Sequence, residues 1–251
     1  MAPPLAIDSR GAGGLPVLFA HSFAGDLSHW SSALEHLEPN RRVVAFDFRG
    51  HGKSPPAVGR YTYEELAKDI DAIADAAELD QFVLVGHSMG AAIATEYAAV
   101  NAQRVKALLL IDPPPRPGAV PPDQLQQIHD SLEKDPYAVV EQFWTQQMFI
   151  DARPEVKQRL LSALHKLPRT AAIELTREAF AIDSSLALQR YPGPKFAIVT
   201  PRNDTPLSLH NTVPDVKHAI VKGTGHWIHL DDPDEFNRTL DEFLKRISLT
   251  P

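Results

Sequence analysis

The pentapeptide Gly86-His87-Ser88-Met89-Gly90 follows directly on the apolar run Phe82-Val83-Leu84-Val85 and precedes the small-residue stretch Ala91–Ala99. A strand that turns sharply into a helix needs glycines beside the turning residue, because a β-carbon there would meet the neighbouring elements. Such a bend lifts Ser88 into the open at a helix N-terminus. The dipole there favours negative charge, and the Met89 N–H points into the same space. A Gly-x-Ser-x-Gly sequence arises by chance in fewer than about one in ten chains of this size, so its place between a strand and a helix is what makes it informative.

A serine at its ordinary pKa is a weak nucleophile and needs a base within hydrogen-bond reach, for which histidine is suited near neutral pH. Of the 11 histidines, His226 is the best placed. It lies in Gly223-Thr224-Gly225-His226-Trp227, after the last predicted strand and before the final helix, on the sheet edge where Ser88 must also sit. His229, three residues on, is the competitor. The base in turn needs a carboxylate to hold its tautomer. Asp204, just after the run Lys195–Thr200, is the expected acid, because the order serine, acid, histidine then holds. Asp112, at the end of Leu108–Ile111, is the alternative, although the prolines after it suggest a hinge. The negative oxygen that develops on an acyl carbon requires at least two donors. Met89 N–H is one, and Phe23 N–H, from the loop His21-Ser22-Phe23-Ala24-Gly25, is the candidate for the other.

Six short apolar runs alternate with longer helical patterns, which predicts an α/β fold with a mostly parallel sheet covered by helices on both faces. The runs are Leu15–Ala20, Arg42–Phe46, Gln81–Val85, Val105–Ile111, Lys195–Thr200 and Lys217–Val221. Helical spacing marks Tyr63–Glu78, through Leu66, Ile70 and Ile73, and Asp234–Ile247, through Phe236, Leu240, Phe243 and Leu244. Thr62 before Glu65 reads as a capping box for the first of these. From Pro113 to Tyr191 the rhythm breaks, with four prolines between 113 and 117 and only helical patterning afterwards. The expected organisation is one core built from residues 1–112 and 192–251, with residues 113–191 as a helical cap. Phe143, Trp144, Phe149 and Phe180 either line a pocket or pack that cap onto the core.

The chain has 251 residues and no cysteine, which excludes disulfides, thiolate metal sites and a cysteine nucleophile. No metal and no cofactor is expected. Net charge is -7 and the basic residues are scattered, so no footprint for nucleic acid is visible and a small uncharged substrate is expected. Met1–Leu5 lacks the basic start of a secretory signal and no apolar stretch reaches membrane-span length, so the expected address is cytoplasmic, with no membrane partner. Oligomeric state is not legible.

These residues resemble the α/β-hydrolase superfamily, and within it the compact capped esterases and lactonases of the haloperoxidase-like group. His21–Gly25 is similar to the oxyanion loop, Asp47–Ser54 to the turn after the next strand, Gly86–Gly90 to the nucleophile elbow, and Gly225-His226 followed by Pro233 to the terminal histidine segment. The resemblance spans nearly the whole chain and implies about eight strands with a cap after the sixth. Two departures stand out. Ser22 occupies a position where the family usually has glycine, so its hydroxyl is a candidate third oxyanion donor, and the short N-terminus leaves room for one leading strand fewer. Asp47 and Arg49 read as residues that fix backbone groups in a tight loop.

The resemblance implies hydrolysis of a carboxylic ester or lactone through an acyl-enzyme on Ser88, with His226 as base and Asp204 as orienting acid. His21, Trp144 and Trp227 are candidates for the pocket wall. The alternatives are carbon–carbon bond hydrolysis or peracid formation on the same triad, or a ligand receptor that hardly turns over.

Overall fold

The structure, a computed structural model, describes residues 4–57, 59–118 and 120–248; the first three positions of the segment read for a leader lie outside them. In chain order the elements are β1 (Ile7–Arg10), β2 (Val17–Ala20), α1 (Ser31–Leu37), β3 (Val43–Phe46), α2 (Tyr63–Ala76), β4 (Phe82–His87), α3 (Met89–Val100) and β5 (Val105–Ile111). They continue with α4 (Pro122–Lys134), α5 (Pro136–Phe143), a π-helical turn (Trp144–Met148), α6 (Pro154–Leu164), α7 (Arg169–Ala181) and α8 (Ser185–Arg190). The chain then returns to β6 (Lys195–Val199), α9 (Leu209–Thr212), β7 (Lys217–Ile220), α10 (Ile228–Asp231) and α11 (Pro233–Ser248).

Seven strands form one sheet in the order β1-β3-β2-β4-β5-β6-β7, where about eight were expected. All neighbours are parallel except β1, four residues long, which runs antiparallel to β3 at the edge. Each of the six predicted runs forms a strand.

β2, β3 and β4 are buried along their whole length, which is why they read as unbroken apolar runs. Their side chains alternate between two cores. Leu18, Val44 and Leu84 face α2 and α3, whereas Val17, Phe19, Val83 and Val85 face α1 and α11. Leu66 and Ile70 of α2 are fully buried, each contributing about 1.5–3 kcal/mol, and Thr62 Oγ1 caps the helix by accepting from Glu65 N–H at 3.2 Å.

The helical stretch between β5 and β6 does not part from the core at the expected limit of 191. Ala171 and Leu175 of α7, Leu188 of α8 and Tyr191 belong to the same apolar cluster as β2, β4 and α3, and α8 packs on α3. A separate cluster, built from Val140, Trp144, Phe149, Leu160 and Trp227 with Ala24, fills the seam between the outer helices and the sheet edge. Glu174 and Glu178 fasten α7 to the start of α2, accepting from the N–H groups of Tyr61 at 2.6 Å and Tyr63 at 3.1 Å. No described helix is long and apolar enough to cross a membrane.

Candidate active site

The carboxyl ends of β2, β4, β5 and β6 deliver His21, Ser88, Asp112 and Thr200 to one edge of the sheet, and the loop after β7 brings His226 there. This is the edge at which open parallel sheets gather ligands.

Ser88 stands alone between β4 and α3 with φ 52° and ψ −117°, a backbone conformation that side chains rarely adopt. Its flanking glycines have no room for a side chain. A β-carbon at Gly86 would lie 2.5 Å from the Gly90 carbonyl oxygen, and one at Gly90 would lie 2.4 Å from the carbonyl oxygens of both Ala20 and His21. The start of α3 is therefore pressed against the backbone that leads into the loop at residues 21–25. The Ser88 N–H donates to Ile111 O at 2.9 Å, tying the bend to β5.

The sequence reading of the acid is corrected here. Asp112, not Asp204, meets the imidazole: His226 Nδ1 donates to Asp112 Oδ2 at 2.6 Å, and both residues are buried. Asp112 has φ 42° and also accepts from Thr200 N–H at 2.8 Å and Thr200 Oγ1 at 3.2 Å, so its carboxylate is oriented by β6. Asp204 points the other way, onto α9. Its Oδ1 lies 3.0 Å from both His210 Nε2 and Asn211 Nδ2, its side chain is 36% exposed, and the His210 contact holds its pKa below the usual carboxylate value.

With Asp112 as acceptor at Nδ1, a neutral His226 carries its lone pair on Nε2. That nitrogen is buried and has no hydrogen-bond partner among the described residues, Ser88 included. His87 links the bend to His226: its ring lies 4.7 Å from that of His226, and its Nε2 donates to the His226 carbonyl at 3.0 Å.

Among the oxyanion candidates, Met89 opens α3, so its N–H has no acceptor within the helix. The Phe23 N–H makes no backbone hydrogen bond among the described residues. Ser22 departs from its expected part. Its buried hydroxyl accepts from Trp227 Nε1 at 3.1 Å and turns its proton toward Phe23 O at 3.5 Å, which makes it a strut under the indole.

The candidate wall residues are likewise spent on packing. Trp227 and Trp144 are 1% and 3% exposed and meet edge to face at 5.1 Å, with Phe149 against both. The His21 ring is fully buried, donating from Nδ1 to Ser22 O at 2.7 Å and accepting from Phe48 N–H at Nε2 at 3.0 Å. It shapes the loop and offers no free face. Asp47 and Arg49 also serve backbone: Asp47 accepts from Leu27 N–H at 2.6 Å and Lys53 N–H at 2.7 Å, and the Arg49 guanidinium forks onto Asp69.

Sequence reasoning weighed His229 only as a rival base and passed over His29 and the role of His87 behind the site. His87 lies between His226 and His229, with ring centroids 4.7 and 4.8 Å away, and His229 stacks on Trp30 at 4.4 Å. Burial pulls His29, His87 and His229 well below the ordinary histidine pKa, so all three are neutral. Among the described residues no group of three or more potential ligands is arranged to hold a metal ion.

Residues 16–233 match the family model described as alpha/beta hydrolase fold. The chain belongs to that family. Its relatives include the dihydrolipoyllysine-residue acetyltransferase component of the acetoin cleaving system from Pseudomonas putida, 29% identical over 94% of this chain and 65% of the relative. The chain thus spans less than two thirds of that relative's length. The non-heme chloroperoxidase CPO-A1 of Kitasatospora aureofaciens is 26% identical, with 93% of each chain covered. In fold, the chain is similar to a thermophilic esterase from Thermogutta terrifontis, with TM-score 0.82, 24% identity, and 97% and 93% of the two chains covered.

Proposed function

We propose that this alpha/beta hydrolase cleaves a carboxylic ester or lactone, with Ser88 as nucleophile, His226 as base and Asp112 as the carboxylate that orients it. The observation that carries this reading is the 2.6 Å bond from His226 Nδ1 to Asp112, which leaves Nε2 as the proton acceptor on the sheet edge that holds the Ser88 bend. A turn of the Ser88 hydroxyl toward Nε2 completes the relay.

In the reaction, Ser88 Oγ bonds to the acyl carbon while its proton passes to His226 Nε2. The carbonyl oxygen takes the electron pair and is met by the N–H groups of Met89 and Phe23. Collapse of that intermediate breaks the carbon–oxygen bond, and His226 returns the proton to the leaving alkoxide. Water repeats the sequence on the acyl-enzyme, releasing the acid and restoring Ser88. Asp112 stays ionised throughout and offsets the imidazolium charge.

Turnover of p-nitrophenyl acetate by the parent and by Ser88→Ala tests the reading: kcat should fall by about 10⁶-fold. Parent-rate turnover by Ser88→Ala refutes it. A protein labelled at Ser88 by a fluorophosphonate but without multiple turnovers on a panel of esters and lactones is the low-turnover receptor instead.

A further inference from the structure

His226 is held from the outside as well as by Asp112. Its backbone N–H donates at 3.0 Å to the carbonyl of Met148, the last residue of the π-helical turn. The residue before it has no space to spare, since a β-carbon on Gly225 would lie 2.6 Å from Ala152 Cβ and 3.0 Å from Met148 O. Five residues past the histidine, Asp231 closes the arrangement. One carboxylate oxygen accepts from Gly225 N–H at 2.9 Å, and the other accepts from Arg153 N–H at 2.8 Å. The Arg153 guanidinium adds a bond to Leu230 O.

The Asp231 carboxylate is 8% exposed, and burial pushes its pKa above the usual value, against the pull of the two N–H donors. The two N–H donors offset the cost of burying that carboxylate. What it holds is the Thr224–Gly225 peptide, one link before His226, and the arm at residues 148–153 that receives the His226 N–H.

We infer that Asp231 is a positioning residue for His226: its carboxylate bridges Gly225 N–H and Arg153 N–H and so locks the histidine loop against the helical arm. The inference rests on the reading of Ser88 and His226 as nucleophile and base. Asn at 231 keeps the shape but sets an amide N–H₂ against one of the two N–H donors, so one bond is lost and the loop shifts. A displacement of the base of the order of 1 Å lowers turnover by about 10²-fold.

The experiment measures kcat and KM for p-nitrophenyl acetate, with melting temperature, for Asp231→Asn, Asp231→Glu, Asp232→Ala and Ser88→Ala. Asp232 is a local control, because among the described residues its side chain accepts only from Glu235 N–H at the start of α11. Asp231→Asn is expected to lose about 10²-fold in kcat at unchanged KM, with the rate of fluorophosphonate labelling falling in parallel. Asp231→Glu, which keeps both acceptors, should recover much of that loss. Asp232→Ala should melt earlier yet turn over at the parent rate. Parent kcat in Asp231→Asn, or an equal loss in Asp232→Ala at matched melting temperature, overturns the inference. If Asp231→Asn does not fold, Asp231→Glu decides, since a carboxylate restoring fold but not kcat also overturns it. Residual parent-rate turnover in Ser88→Ala would instead strike down the underlying reading.

Discussion

His226 Nδ1 and Asp112 Oδ2 lie 2.6 Å apart across the ends of β7 and β5, while Asp204 turns its carboxylate to His210 and Asn211. Asp112→Asn should therefore lower kcat by about 10⁴-fold, because an amide favours the wrong imidazole tautomer. Asp204→Asn should leave kcat at the parent value. Steady-state kinetics on one activated ester check both, and the opposite ranking would return the acid to residue 204.

The Ser88 backbone, at φ 52°, is strained for any residue with a β-carbon. Ser88→Gly and Ser88→Ala should both be inactive, but the glycine variant should be the more stable by about 1 kcal/mol. Urea unfolding of the two variants measures the difference; equal midpoints would mean that the bend stores nothing.

Five histidines are buried with lowered pKa, His21, His29, His51, His87 and His229, burial being the first cause in each, and His51 is brought down to about 3. In the unfolded chain they bind protons below about pH 6.5, which the folded chain refuses, so stability falls as pH drops through that range. Each adds up to about 1.4 kcal/mol per pH unit to the slope. His29→Gln should flatten the dependence between pH 6 and pH 5 by about that amount. An unchanged slope in a denaturation series would show that His29 is protonated in the fold.

The indole of Trp227 donates to Ser22 Oγ at 3.1 Å in the seam. Trp227→Phe and Ser22→Ala should each destabilise, and the double variant should show a coupling of about 1 kcal/mol. Additive losses in thermal melts would mean that the bond contributes nothing.

Much of this was readable from residues alone where the signal is local. The six strands announce themselves as short apolar runs, most plainly the fully buried β2, β3 and β4, and the elbow does so through glycines that the packing shows to be obligatory, Gly86 and Gly90. The carboxylate partner of His226 was not readable, because Asp112 directly ends β5 while Asp204 lies a short turn beyond β6, and only the folded backbone and side-chain directions show which of them reaches the imidazole. The prolines after Asp112 marked a departure of the chain, and nothing in a sequence forbids one residue from being both gateway and carboxylate. Trp144 and Trp227 looked like pocket walls because aromatic residues serve packing and binding alike. Asp231 gave no signal, since both its partners are backbone N–H groups, which every residue but proline possesses.

β5 and β6 pair in register, Leu108 with Lys195 through Ile111 with Ile198, although five helices intervene between them in the chain. The sheet is thus indifferent to the length of that excursion, and α4 to α6 could be exchanged for another visitor without disturbing the strand edges, whereas α7 is part of the core. The His226 N–H sets the terms of such an exchange: whatever replaces the π-helical turn must present a carbonyl where Met148 now stands. New selectivity can be grafted onto this scaffold only by pieces that still shake hands with His226.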